Sequence, residues 1–126
     1  MRVGIARIVL QIPGARTLKD RRQVVRSFKD KVRAHQPVSI AEVGDANRLQ
    51  WATFGVAVVS GESEICQSVL AAVVSMAERH PDSVLNDVNT EVIALGDDGR
   101  GIGSSHAPRK LLQIEPVVRQ KRGNHE

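Results

Sequence analysis

Aromatic side chains are almost missing from this chain of 126 residues, which has no tyrosine, one tryptophan and two phenylalanines. Trp51 is the one candidate for stacking on a base, and no paired aromatics occupy adjacent strands, which argues against single-strand nucleic-acid recognition by stacking. Cysteine is also scarce. The lone Cys66 cannot form an internal disulfide, and a reducing cytoplasm is the expected compartment. No stretch near the start joins a charged beginning, an apolar centre and a small-residue cleavage site. No apolar run approaches the roughly 20 residues of a membrane-spanning helix, so no membrane partner is expected. With 41% apolar residues drawn mostly from Val, Ile, Leu and Ala, the core should be aliphatic. The length fits one domain plus a tail.

Charge is plentiful and unevenly spread. Residues 1–36 carry a net +8, residues 37–95 a net −6 and residues 96–126 a net +2, within a total of +4. Between Arg16 and Arg33 the cations Arg16, Lys19, Arg21, Arg22, Arg26, Lys29, Lys31 and Arg33 outnumber the acids Asp20 and Asp30. Leu18, Val25, Phe28 and Val32 recur at helical spacing and should form one apolar stripe. Lys19, Arg22, Arg26, Lys29 and Arg33 recur at the same kind of spacing and should form a second, cationic stripe with no carboxylate in it. Such a face suits an anion. The alternative is that the basic and acidic parts neutralise one another across the fold or between subunits.

From Arg2 to Ile12 the sequence alternates, placing Gly4, Ala6, Ile8, Leu10 and Ile12 on one face of a strand and Val3, Ile5, Arg7, Val9 and Gln11 on the other. Pro13 and Gly14 end it. The basic helix follows, with Thr17 as its N-cap, and must stop before Pro37. Val38 to Val43 and Trp51 to Ser60 read as a hairpin joined by the polar loop Gly44 to Gln50. A second helix, Glu62 to Arg79, is expected to bury Ile65, Val69, Ala72, Val73 and Met76, with acidic residues in its first turn. Val84 to Leu95 gives the last strand. Strand, helix, strand, strand, helix, strand is the βαββαβ order of an α+β, ferredoxin-like sandwich. Both helices should cover one face of a four-stranded antiparallel sheet. The other face would be left to solvent or to a second subunit, and its partly apolar character makes a homodimer a reasonable expectation.

Three segments resemble a known family. Ile12-Pro13-Gly14-Ala15-Arg16-Thr17-Leu18-Lys19-Asp20-Arg21-Arg22, then Val38-Ser39-Ile40-Ala41-Glu42-Val43-Gly44-Asp45, then Ala52-Thr53-Phe54-Gly55-Val56-Ala57-Val58-Val59 are similar, in order and spacing, to the bacterial YlxP-like family. The similarity covers about residues 1–95. It implies a small ferredoxin-like domain of unknown function, often encoded beside translation initiation factor two and ribosome-binding factor A, and hence a role near the ribosome or its RNA. The loop departs from the family pattern Gly-Asp-Gln-Asp-Leu-Trp-Gln-Arg: here it reads Gly44-Asp45-Ala46-Asn47-Arg48-Leu49-Gln50-Trp51, with the aromatic moved and an amide replaced by Ala46.

Chemical motifs are weak by comparison. Glu42 and Asp45 lie three residues apart at a strand end, where two carboxylates could hold a divalent metal or share a proton; pairing with a nearby Arg or Lys and capping a turn is the plainer expectation. His35, His80, His106 and His125 sit at two helix ends and in the tail without metal-ligand spacing, and an imidazolium would be mildly favoured at a helix C-terminus. Cys66 falls in the first turns of the second helix, where a thiol pKa can drop; a small buried residue is the simpler expectation. Gly99, Gly101 and Gly103 lack the following helix that a phosphate loop needs. Residues 96–126 instead read as a Gly-rich linker and a basic tail, with Arg109, Lys110, Arg119, Lys121 and Arg122 beside Leu111, Leu112, Ile114, Val117 and Val118. No nucleophile is combined with a base and a positioned acid, so no catalytic residue, metal or cofactor is expected.

The resulting expectation is a non-enzymatic protein that binds RNA or the ribosome through phosphate contacts from Arg16, Lys19, Arg21, Arg22, Arg26, Lys29 and Arg33. A protein-interaction module that homodimerises or meets an acidic partner is the second reading. A metal-dependent hydrolase at Glu42 and Asp45 is the third.

Overall fold

A computed structural model describes residues 1–96. The expected linker and basic tail lie outside the described residues.

Six elements follow the expected order: β1 (Arg2–Gln11), α1 (Leu18–His35), β2 (Ser39–Glu42), β3 (Trp51–Ser60), α2 (Ser63–Arg79) and β4 (Val84–Ala94). The strands form one sheet in the order β2-β3-β1-β4, and every neighbouring pair is antiparallel. This is the ferredoxin-like sandwich that the element order implied. The two longest registers join β1 to β3 and β1 to β4, so β1 is central. At the far end of β4 the register shifts between Val9 and Leu10, whose partners are Asp87 and Leu85, leaving Asn86 as the extra residue of a bulge.

Alternation along β1 puts Ala6, Ile8 and Leu10 under the helices, where they meet Ala52, Phe54, Val56 and Val58 of β3 and Ile40 of β2. Val25, Phe28 and Val32 close the core from α1, and Cys66, Leu70, Val73 and Ala77 close it from α2. Phe28 and Phe54, the only two phenylalanines, stack tilted with ring centroids 5.0 Å apart.

Two expected stripes are displaced. In α2 the buried line runs one residue on from the expected one: Ile65 is 46% exposed, Val69 and Met76 only flank the core, and Cys66 and Ala77 are fully buried. The cause is close approach. Gly4 lies beneath this helix, and a Cβ there would stand 3.1 Å from Cys66 Cβ, 3.1 Å from Leu70 Cδ1 and 3.0 Å from Val58 Cγ1. The missing side chain at Gly4 lets Cys66 and Leu70 sit so near the sheet. In α1, Leu18 is 39% exposed rather than core, and the position one turn on is filled by Arg21, which is 1% exposed.

The second face of the sheet carries no element among the described residues. On its two central strands the outward positions are Val3, Ile5 and Val9 of β1 and Gly55, Ala57 and Val59 of β3, interrupted chiefly by Arg7 and Thr53. The outward positions of the edge strands are more polar, with Ser39 on β2 and Asp87, Asn89 and Glu91 on β4. Arg7 donates to Asp87 at 3.2 Å.

Candidate functional site

The N-terminus of α1 is fixed as expected: the Asp20 backbone N–H donates to Thr17 Oγ1 at 3.0 Å. The Asp20 carboxylate in turn accepts from the Arg16 backbone N–H at 3.1 Å, which orders the entry loop. From there α1 presents three faces. Arg21, Val25, Phe28 and Val32 point into the core. Val24 and Ser27 lie toward α2, since Ser27 Oγ is 3.4 Å from His80 Nε2 beyond its end. The cationic stripe lies on the opposite flank, about 110° round the helix from the buried line at 100° per residue.

That flank runs above the edge strand β2. Arg33 marks the side, donating from Nη2 to the Ile40 carbonyl at 3.0 Å and standing 3.9 Å from Asp30. Lys19, Arg22 and Arg26 are exposed, as is Arg16 in the entry loop, and Lys29 is half-buried. Among the described residues, no carboxylate lies within ion-pair distance of these five. Lys19 with Arg22, Arg22 with Arg26, and Arg26 with Lys29 are three or four residues apart, and each such like-charge pair costs an isolated helix about 0.2–0.5 kcal/mol. Lys19 and Arg22 also stand in the first turns, where the helix dipole disfavours positive charge.

Arg21 is the exception within the expected set and must be removed from the exposed surface. Its Nε donates to the carbonyls of Arg48 at 2.7 Å and Trp51 at 3.1 Å. Its Nη2 donates to the Trp51 carbonyl at 2.8 Å and to the Glu42 carboxylate, and reaches the Asp45 carbonyl at 3.5 Å. One guanidinium thus ties α1 to both ends of the β2–β3 loop. A fork of five N–H donors suits such a cluster of acceptors in a way that lysine does not. A sequence signal for this existed: the expected apolar stripe jumps seven residues from Leu18 to Val25, and Arg21 occupies the skipped core position.

Glu42 and Asp45 are accounted for by this clasp. Glu42 pairs with Arg21, and the Asp45 carboxylate accepts from the Asn47 backbone N–H at 2.9 Å, closing a turn. Among the described residues, no three His, Cys, Asp or Glu side chains are grouped to hold a metal. The loop adds a cation that the sequence reading left out. Arg48 is exposed and its guanidinium carbon lies 5.5 Å from the centroid of the Trp51 ring. Because the Arg48 carbonyl is held by Arg21, this cation belongs to the same end of α1 as Lys19 and Arg22.

His80 departs from the expected charged helix end. It is buried against Phe28 in an edge-on contact with ring centroids 5.8 Å apart. The Asp82 backbone N–H donates to Nδ1 at 3.4 Å, and Nε2 stands 3.4 Å from Ser27 Oγ. Burial, reinforced by the charge of Lys31 and opposed by Asp82, holds its pKa below the ordinary 6.5. Cys66 is fully buried, as a small core residue should be. A cleft of about 510 Å³ lies between the β1–α1 loop and the α2–β4 turn, where Asp20, Gln23 and Asp82 rim an apolar floor of Ile12 and Val24.

Fold and surface together define a ferredoxin-like α+β sandwich whose first helix carries a cationic flank on which, among the described residues, only Arg33 lies within ion-pair distance of a carboxylate. The chain belongs to the DUF503 family, described as proteins of unknown function, whose model matches residues 3–90. None of the curated proteins compared with the chain matches it. Among solved structures, the designed protein Foldit4 is similar at 8% identity and a TM-score of 0.46, over 76% of this chain and 100% of its own. Rv0793 from Mycobacterium tuberculosis is similar at 13% identity and a TM-score of 0.45, over 79% of this chain and 100% of its own. The de novo designed ferredoxin-fold protein LFR1 1 is similar at 12% identity and a TM-score of 0.40, over 84% of this chain and 96% of its own.

Proposed function

We propose that this protein is a non-enzymatic, cytoplasmic binder of structured RNA that takes the phosphate backbone on the flank of α1. Arg16, Lys19, Arg22, Arg26 and Lys29 make the contacts, Arg48 extends them from the loop, and Arg33 closes the far end beside β2. The observation that carries the proposal is a row of cations without carboxylate partners among the described residues, kept at a cost to the helix. Each Lys or Arg that neutralises a phosphate releases a counterion, which gives affinity without base choice. Structured RNA is preferred over single strands because shape and backbone contacts dominate its recognition, and because the face of Trp51 is already met by Arg48. The YlxP-like resemblance, with its neighbourhood of translation and ribosome-maturation factors, points to the ribosome or its RNA as the source of the phosphates.

The test is an anisotropy titration of a ribosomal RNA hairpin with the full chain across a salt series, beside ribosome co-sedimentation at low salt. Five phosphate contacts, from Arg16, Lys19, Arg22, Arg26 and Lys29, predict that log K falls with log salt at a slope of roughly −3.5 to −4.5. Substituting Arg22→Glu, Arg26→Glu and Lys29→Glu together should lose at least about a hundredfold in affinity and abolish co-sedimentation with the circular-dichroism spectrum unchanged, since reversing three contacts acts through the same counterion term. Equal affinity in the variant overturns the proposal. Loss of an acidic protein from the co-sedimenting material, with RNA affinity intact, would assign the flank to a protein partner instead.

A further inference from the structure

The open face of the sheet is apolar along its two central strands. In an antiparallel sheet with one solvated face, the outward positions of the strands are polar. Here the central strands β1 and β3 are largely apolar on both faces, as strands buried on both sides are. Ile5 is 37% exposed, Val59 64% and Ile93 44%, and Val59, Val3 and Ile93 stand side by side across three strands. The polar outward residues concentrate on β4 at the margin, giving an apolar centre with a polar rim, which is the anatomy of a protein–protein contact.

We infer that this face is covered by a second copy of the same chain, two sheets packing face to face with the helices outermost. Size supports a second copy: β1, β3 and β4, with 10, 10 and 11 residues, and the four-residue β2, spaced about 4.8 Å apart and rising about 3.4 Å per residue, offer roughly 570 Å². A standard interface takes about 800 Å² from each partner, so this face with its rim is of the right scale. Charge supports it as well. Arg7 is already neutralised by Asp87 within its own sheet, so each copy brings Glu91 as the one rim charge without a partner among the described residues. A strongly charged partner would find only Glu91 to pair with, and RNA would meet a net negative surface. Two sheets stacked about 10 Å apart can interdigitate Ile5, Val59 and Val3 with their counterparts, as in any two-sheet core. The pair would carry its two cationic α1 flanks on opposite outer layers. It does not depend on what those flanks bind.

Sedimentation equilibrium of the full chain from about 1 to 100 µM tests the proposal, because a specific face of this scale should associate within that range. The expected result is a particle of twice the chain mass that persists at 0.5 M salt, since the contact is apolar. The double variant Ile5→Glu with Val59→Glu places carboxylates on exposed positions and should weaken association at least about a hundredfold, with an unchanged circular-dichroism spectrum. The control Ile65→Glu, at an exposed position of α2 away from the open face of the sheet, should leave the particle at twice the mass. A wild-type mass of one chain throughout, whether the face is bare or covered by the chain's own tail, overturns the proposal. So does a particle of twice the mass that survives the double variant, or one that falls apart in high salt.

Discussion

The two helices cross the same sheet by opposite means. Helix α2 sits close because its buried line is Cys66, Leu70, Val73 and Ala77 and because the strand below it offers Gly4. Helix α1 fills its buried line with Val25, Phe28, Val32 and a charged residue, Arg21, which is satisfied by the β2–β3 loop and the strand ends that flank it. Their outer surfaces differ in the same sense: that of α2 mixes Glu64, Gln67, Ser68 and Ala71, whereas α1 carries a run of cations. A helix held by close apolar packing is scaffold. Helix α1 is held by a polar clasp at one end and carries, among the described residues, a row of cations with few carboxylate partners.

Removing the clasp is the strongest way to break this contrast. Arg21→Met should destabilise the fold by about 3–5 kcal/mol, because the Glu42 carboxylate and three backbone carbonyls lose their buried donor. A urea midpoint shift of that size checks it, and a shift under about 1 kcal/mol would mean that water replaces the guanidinium. The matching test on the other helix is Gly4→Ala. Its Cβ would stand 3.0–3.1 Å from three side-chain atoms, so a loss of about 1–3 kcal/mol is expected from overpacking, measured by the same unfolding curve. A neutral result would show that α2 can lift off the sheet without cost.

A smaller and pH-dependent effect comes from the seam between the helices, where His80 faces Ser27, Phe28 and Lys31 of α1 and Asp82 and Ser83 of the following turn. Its folded pKa lies below the unfolded value near 6.5, so the unfolded chain binds the proton more readily. The contribution is therefore complete above about pH 6.5 and is lost as pH falls below it. Denaturation midpoints for wild type and His80→Asn should converge as the solution is acidified from pH 7.5 to 5.5. Parallel pH profiles for the two proteins would remove His80 as the cause.

Much of this contrast was legible in the sequence. The alternation of β1, the β2–β3 hairpin and the Thr17 cap are local features, set by period, turn residues and a single side-chain acceptor, and the structure places each within a residue or two of expectation. Both misplaced stripes have non-local causes. Nothing near Ile65 in sequence shows that a glycine sixty residues earlier draws the neighbouring line of α2 inward. The loop carbonyls that make Arg21 a core residue lie 24 to 30 residues further along, and periodicity marks the skipped position without showing what satisfies an arginine there. The cationic flank survived because it is defined by one helix alone, while Arg48 was missed because it joins that flank only through the folded loop.

The clasp at Arg21 also bears on the order in which the chain assembles. A guanidinium cannot leave water before its acceptors exist, and here the acceptors lie up to 30 residues further along, on a loop whose ends are set by the pairing of β2 with β3. The first helix can form early, but its N-terminal half cannot settle until the hairpin behind it has closed. Helix α1 is made second in the chain and should be fastened late.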